Sequence, residues 1–128
     1  MGKIQWLCIS LFVLSLASCN GENEDGLPTL TEIRVKNVSL YDFDDVEVVA
    51  PGGMAHYGQV LIQESSAYQS FTEAYRYSFI NVIIDGQDFV LQPIDYVGET
   101  PLGPGKFTYV IDVPDLESTG ITLLLTVD

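Results

Sequence analysis

The strongest constraint on the fold is the spacing of the apolar residues, which recur at every second position. Such alternation is typical of β-strands that bury one face and expose the other. The alternating runs follow one another roughly every 10 residues, with no long helical pattern between them, which is typical of β-sandwiches. The sequence therefore predicts an all-β chain, with a single antiparallel β-sandwich over residues 31–128. The runs are centred on Ile33 and Val35, Val46 and Val48, Tyr75 to Phe79, Phe107 to Val113, and Ile121 to Val127.

Turn residues agree with this interpretation. Asp85-Gly86 separates the apolar runs 79–84 and 87–91, and this dipeptide predicts a two-residue β-hairpin. The segment 66–74 is ambiguous, because its aromatic residues are spaced as on one face of a short helix. We favour a strand over Ala67–Phe71 followed by a turn.

The first 18 residues have the features of an export signal. Lys3 supplies a positive start, Ile4 to Leu16 is almost continuously apolar, and small residues precede Cys19. The apolar run is too short for a comfortable transmembrane helix. Leu16-Ala17-Ser18-Cys19 resembles the lipobox of bacterial lipoproteins, in which the cysteine is acylated and becomes the first residue of the mature chain. The alternative is an ordinary signal that leaves Cys19 as a free thiol, a liability in an exported protein.

After such processing, residues 19–30 would form an acidic, flexible linker between the acyl chains and the domain. Several acyl chains would hold the protein on a membrane. Cys8 leaves with the signal, so no disulfide can form within the mature chain. The domain must then be stabilised by its apolar core, and the 47% of hydrophobic residues is sufficient for one.

The length and charge of the chain limit its functions. The 128 residues suffice for one domain. With 18 Asp or Glu against 5 Lys or Arg, the formal charge is −13, which repels phosphate backbones and argues against a nucleic-acid partner.

Several segments together resemble known domains. They look like parts of small immunoglobulin- or transthyretin-like sandwich domains and of small uncharacterised Bacteroidota-type lipoproteins, a resemblance that implies a fold and a location but no catalytic residue. The segments are 33–39, 57–58, 66–68, 74–77, 93–99 and 105–109.

The residues available for catalysis are few, and the sequence predicts a protein that is not an enzyme and has no cofactor. His56 is the one histidine, and no nucleophile-elbow motif accompanies it. It is expected to be an exposed loop residue. Asp95 and Glu99 could act as a paired-carboxylate site of the glycosidase type, but a sandwich of about 100 residues rarely encloses the cleft that such a pair needs.

Calcium is the one metal that the sequence raises. Asp42, Asp44 and Asp45 are close together and offer the oxygen ligands that calcium prefers. An EF-hand register that begins at Asp42 fails, because it places Glu47 where glycine is required. We favour a solvated strand entrance, with Val46 and its alternate neighbours facing inward, over a metal site.

Tyrosines offer a better candidate for binding, because a tyrosine can bury its ring and keep a wet hydroxyl. Tyr41, Tyr57 and Tyr96 lie beside turn signals and are expected to line one end of the sandwich, where binding loops gather. Tyr77 and Tyr109 lie in alternating runs and are expected in the core or at its edge.

These observations predict a non-catalytic, membrane-anchored lipoprotein. It would act as an accessory or scaffolding subunit that docks onto a cell-envelope complex through an exposed strand edge or an apolar patch. The alternative is a surface lipoprotein that binds a glycan or another small ligand at the Tyr41–Tyr57–Tyr96 end. The acidic residues after Cys19 resemble a surface-export signal, which favours display on the outer membrane over a periplasm-facing anchor.

Overall fold

The computed structural model describes residues 30–128, which contain eight β-strands and no helix. The signal peptide, Cys19 and all but the last residue of the expected linker lie outside the described residues. Within 30–128 no helix is long and apolar enough to cross a membrane. The strands are β1 (Thr31–Asn37), β2 (Asp45–Ala50), β3 (Gly53–His56), β4 (Gln69–Phe71), β5 (Phe79–Ile84), β6 (Gln87–Leu91), β7 (Gly105–Asp112) and β8 (Thr122–Val127).

The strands form two four-stranded sheets packed face to face. The first sheet has the order β4-β1-β7-β8 and the second the order β3-β2-β5-β6. This confirms the predicted all-β sandwich. Neighbouring strands are antiparallel except for β1 and β7, which run parallel with Thr31 opposite Gly105. These two strands are far apart in the sequence, so no tight hairpin dictates their relative direction.

The core is made by the inward residue of each alternating pair. In β1 the odd-numbered residues are buried, as at Ile33 and Val35. In β2 the even-numbered residues are buried, as at Val46 and Val48. Tyr109 in β7 is fully buried, as expected. Burial of this apolar surface is the main source of stability. The largest fully buried side chains are Tyr109, Phe43, Phe71, Phe89, Ile33, Ile80, Ile111, Val35, Val46, Val48, Val60 and Val82.

The two ends of the sandwich carry different connections. We call the end where Leu30 enters the proximal end; it holds the starts of β1 and β7 and the turn between β2 and β3. The end at Asn37 and Asp45 is the distal end. At the proximal end, the Gly52 amide donates to the Glu73 carbonyl at 3.0 Å. A Cβ on Gly52 would lie 2.1 Å from the Glu73 nitrogen, so glycine is needed for the two segments to approach.

The hairpin prediction is confirmed and one strand prediction is corrected. Asp85 and Gly86 connect β5 to β6 with φ angles of 51° and 78°, which a type I′ turn requires. The segment 66–74 contains a strand, which is limited to Gln69–Phe71. The alternation at 75–79 is not a strand, since β5 begins only at Phe79. There, Ser78 is buried, whereas Tyr77 is only half-buried.

Candidate functional site

The three tyrosines expected at one end of the sandwich lie at two ends. Tyr57 follows β3, which runs from the proximal to the distal end. The Tyr57 amide donates to the carbonyl of Val46, near the distal start of β2, at 2.8 Å. Tyr41, in the β1–β2 connection, is also distal. Tyr96 follows β6, which runs from the distal to the proximal end. The prediction of a shared end was therefore wrong, because alternation defines the faces of strands but not the end at which each loop emerges.

Tyr41 and Tyr57 pack against the core and are held by it. The Tyr57 hydroxyl donates to the Ile33 carbonyl at 2.7 Å, and burial raises the pKa of Tyr57. The Tyr41 carbonyl accepts a hydrogen bond from Asn37 Nδ2 at 2.7 Å. These contacts give both residues structural roles.

Tyr96 belongs instead to a stack of three aromatic rings, which we call the tyrosine stack (Tyr75, Tyr77 and Tyr96). The Tyr96 ring lies 4.7 Å from that of Tyr75 at an interplanar angle of 19°. It lies 5.5 Å from that of Tyr77 at 16°. Offset stacking at these distances adds to the stabilisation from burial, so the stack is a preformed feature of the proximal end.

Hydrogen bonds fix the stack to the domain. The Tyr109 hydroxyl donates to the Tyr75 carbonyl at 2.6 Å and lies 2.7 Å from Ser78 Oγ. The Tyr109 hydroxyl has one proton, which it donates to the Tyr75 carbonyl. The Ser78 hydroxyl is therefore the donor in its hydrogen bond with the Tyr109 oxygen. Burial raises the pKa of Tyr109, which keeps this hydroxyl neutral and able to donate. The core thereby positions the stack.

The β6–β7 loop, residues 92–104, is held against the stack and turns apolar side chains outward. The Tyr77 hydroxyl donates to the Asp95 carbonyl at 3.2 Å. Asp95 Oδ1 accepts from the Val97 amide at 3.0 Å. Ile94 is 97% exposed and Val97 is 86% exposed. The loop therefore presents two apolar side chains on a backbone that is tied at several points.

A groove of about 450 Å³ runs beside this loop along the outer face of the second sheet. Val49 on β2 faces the groove, and Met54, opposite Val49 in the sheet register, is 61% exposed. We call Met54, Phe79, Ile94 and Val97 the proximal patch. The groove is lined by Val49, Ala50, Pro51, Phe79, Gln92, Pro93, Ile94, Asp95 and Tyr96.

Carboxylates lie beside the tyrosine stack, next to the patch. Glu73 Oε2 accepts from the Tyr75 hydroxyl at 2.8 Å, and this hydrogen bond raises the pKa of Tyr75. Partial burial, followed by the charges of Glu99 and Asp95, raises the pKa of Tyr77. The proximal patch is thus an apolar surface with carboxylates beside it.

The catalytic candidates lie apart from this surface or within a single loop. His56 is on β3, with Nδ1 3.5 Å from Asp45 Oδ2 and Nε2 3.5 Å from Glu47 Oε2; it is in a strand, and not in a loop as expected. Asp95 and Glu99 belong to one loop, in which the Glu99 amide donates to the Tyr96 carbonyl at 3.0 Å.

The calcium candidates bind three different partners. Asp42 Oδ1 accepts from the Ile62 amide at 2.9 Å, and Asp44 Oδ2 accepts from the Asp85 amide at 2.8 Å. Asp45 faces His56. Across residues 30–128, no group of three His, Cys, Asp or Glu side chains is placed to hold a metal ion.

Sequence reasoning missed Ile94, Val97 and the ring partners of Tyr96. One signal was available for the first two: apolar residues inside a loop bounded by Pro93 and Gly98 have no strand face on which to be buried. No sequence signal pairs Tyr75 and Tyr77 with Tyr96, because the stack depends on how the β6–β7 loop folds back.

Comparison with known proteins supports the fold. No family model matches the chain, and no curated protein matches it significantly. A protein from Eubacterium rectale, solved by NMR, is similar with a TM-score of 0.56 and 13% identity, over 80% of this chain and 94% of that one. A crystal structure described as "a putative cell adhesion protein" from Bacteroides uniformis is similar with a TM-score of 0.52 and 11% identity.

The second likeness covers 80% of this chain but only 51% of the Bacteroides uniformis chain. At such low identity, both likenesses concern architecture and not activity. The chain therefore shares its two-sheet β fold with these two proteins.

Proposed function

We propose that this chain is a non-catalytic lipoprotein, anchored through acylated Cys19, that binds a protein partner of the cell envelope through the proximal patch. The resemblance of its sequence to small Bacteroidota-type lipoproteins supports this proposal. Surface display on the outer membrane is the favoured location. The fold likeness to a protein described as a cell adhesion protein is compatible with that location.

The observation that carries the proposal is the exposure of Ile94 and Val97 on a tethered loop. Contiguous exposed apolar patches on soluble proteins mark interaction sites. The tyrosine stack fixes the loop before any partner arrives, so little conformational entropy is lost on binding. The patch is therefore organised for contact with another molecule.

The charges indicate what the partner looks like. Glu73, Asp95 and Glu99 lie beside the patch, so a complementary surface has an apolar socket with basic side chains beside it. Such complementarity accelerates association and excludes acidic surfaces.

The position of Leu30 indicates where the partner lies. The Gly105 amide donates to the Leu30 carbonyl at 3.3 Å, so the chain enters at the same end as the patch. From Cys19 to Leu30, a fully extended chain spans at most about 40 Å. The partner surface is thus close to the lipid surface.

Photo-crosslinking in intact cells tests this proposal. A photoreactive amino acid at position 94 should capture one defined protein, whereas the same group at position 40 should not. Leu40 is the matched control because it is 81% exposed and distal. Ile94→Asp with Val97→Asp should weaken the association by on the order of tenfold or more, as expected for apolar anchors, and Leu40→Asp should not. Equal capture from both positions, or none from position 94, would contradict the proposal.

The tyrosine stack supports glycan binding as the second candidate function. Stacked tyrosines beside Glu73, Asp95 and Glu99 offer ring faces and hydrogen-bond acceptors, the groups that recognise sugars. A bound oligosaccharide at 100 times its Kd would stabilise the fold by about 2.7 kcal/mol. Screening a glycan panel by melting temperature should then give a shift that Tyr77→Ala removes and Ile94→Asp leaves intact. A shift equal in Tyr77→Ala and the parent chain would place the sugar elsewhere.

A further inference from the structure

Three of the four edge strands are protected against pairing with another chain. β3 and β4 have only 4 and 3 residues. β6 contains Asp88, and its Val90 amide donates to the Thr119 carbonyl of the β7–β8 loop at 2.9 Å. Short length, charge and a covering loop are the usual ways in which proteins protect sheet edges.

Among residues 30–128, the fourth edge strand, β8, has no backbone partner on its outer side, although Arg76 and Tyr77 line a groove beside its leucines. It is six residues long, and its sequence Thr-Leu-Leu-Leu-Thr-Val has no charge and no proline. Leu124 is 64% exposed and Val127 is 74% exposed. In a chain of charge −13, an uncharged, apolar edge strand of this length is an open template for strand addition.

The hydrogen-bond pattern shows which groups of β8 are free. The Asp128 amide donates to the Lys106 carbonyl at 3.0 Å. In an antiparallel ladder every second residue bonds to the same neighbour, so Thr122, Leu124 and Thr126 bond to β7. The N–H and C=O groups of the residues between them point away from the sheet. Three residues, Leu123, Leu125 and Val127, thus offer six backbone groups at the edge.

We infer that β8 pairs with β8 of a second copy of this chain, antiparallel and centred on Leu125. In this register Leu125 faces its own equivalent and Leu123 faces Val127 of the partner copy. Side chains opposite one another on the inner face are then all apolar, and no like charges meet along the strand. Such a two-fold arrangement satisfies the same groups on both copies.

Charges near β8 permit a second copy despite the acidity of the whole chain. The outer face of the first sheet carries three of the four Lys or Arg side chains in residues 30–128, and three carboxylates balance them. The like charges of the two copies therefore lie mainly on the second sheet and the loops. The charged residues on this face are Glu32, Arg34, Lys36, Lys106, Asp112 and Asp128.

The end of β8 is fixed, which favours a defined register. Thr108 Oγ1 donates to the Asp128 carboxylate at 2.7 Å, and Arg34 Nε lies 3.4 Å from it. Although partial burial opposes ionisation, hydrogen bonds from Tyr68 and Thr108 hold the pKa of Asp128 below its usual range. Asp128, the residue after β8, therefore ties the end of the strand to β7 and β1.

Disulfide crosslinking tests the pairing and its register. In the full chain with Cys8→Ser and Cys19→Ser, Leu125→Cys should give a covalent dimer under mild oxidation. Directly opposed Cα atoms lie about 5.5 Å apart in a hydrogen-bonded pair, within the range that a disulfide spans. Leu123→Cys is the control on the same strand and face, and should give no covalent dimer because its equivalent lies four residues further along.

A second pair of variants covers the case in which Leu125→Cys fails to fold. Mixing chains that carry Leu123→Cys with chains that carry Val127→Cys should give a mixed disulfide, and Val127 is exposed enough to tolerate the change. Equal crosslinking of Leu125→Cys and Leu123→Cys would indicate random collision and overturn the inference. No covalent dimer from any variant or mixture, or a crosslink from position 125 to a different protein only, would also overturn it. None of these variants changes the proximal patch, so the result is independent of the proposed function.

Discussion

Replacing Tyr109 by phenylalanine should lower the free energy of unfolding by about 1–3 kcal/mol, because the Ser78 hydroxyl and the Tyr75 carbonyl would lose their partner inside the protein. Ser78 is fully buried, so water cannot replace the lost bond. Tyr109→Ala should cost about 3–5 kcal/mol, since it also leaves a cavity. Urea unfolding, monitored by circular dichroism, measures both changes.

Tyr41→Phe is the matched control for this prediction. The Tyr41 hydroxyl makes no hydrogen bond to the described residues, and its removal should change stability by less than about 0.5 kcal/mol. Tyr109→Phe should also weaken the near-ultraviolet circular dichroism of the tyrosine stack, because the Tyr75 carbonyl is one of its attachments. A Tyr109→Phe chain as stable as the parent would show that the buried hydroxyl network contributes little.

Replacing Asn37 by alanine is expected to have a comparably large effect at the distal end. Asn37 Nδ2 donates to the carbonyls of Tyr41 at 2.7 Å and Val60 at 3.0 Å. Its Oδ1 accepts from the amide of Ser39 at 2.8 Å and from the hydroxyl at 2.7 Å. The Val60 carbonyl keeps the Phe43 amide and the Tyr41 carbonyl keeps the Ser39 hydroxyl, whereas the buried Ser39 amide loses its partner. A buried donor left unpaired costs about 1–3 kcal/mol, so the loss of stability should be about 1–3 kcal/mol. The urea midpoint should fall with an unchanged slope.

Asn81 provides the comparison for Asn37. It is a half-buried asparagine on β5, and its Oδ1 is shielded from solvent without a hydrogen-bond partner in residues 30–128. Asn81→Ala should therefore be close to neutral or stabilising, since it removes an unsatisfied acceptor. If both alanine variants lost the same stability, the cost would come from side-chain packing and not from the hydrogen bonds of Asn37.

The two proposed surfaces serve different contacts. The proximal patch lies at the end where the chain enters the domain, whereas β8 forms a lateral edge of the sandwich. None of the patch residues belongs to β8, so pairing through β8 would not use them and would place two patches on one assembly. Two weak contacts, one from each patch, could then bind the same partner surface together with a higher overall affinity than either contact alone.

The candidate site shows how far sequence reasoning reached. It identified Tyr96 and its Pro- and Gly-bounded loop, but it grouped Tyr96 with Tyr41 and Tyr57. The error arose because the end at which a loop emerges depends on how many strands precede it and on their directions. Alternation carries no information about strand order, and the parallel pairing of β1 with β7 could not be foreseen for the same reason.

The sequence by itself determined the class of fold, the inward face of most strands and the Asp85-Gly86 hairpin, because each follows from local spacing and local backbone preferences. The tertiary structure alone decided the tyrosine stack, the exposed pair Ile94 and Val97, and the unpaired edge at β8. These features arise from contacts between residues far apart in the chain. Their energies depend on which strands become neighbours, and no local pattern specifies that.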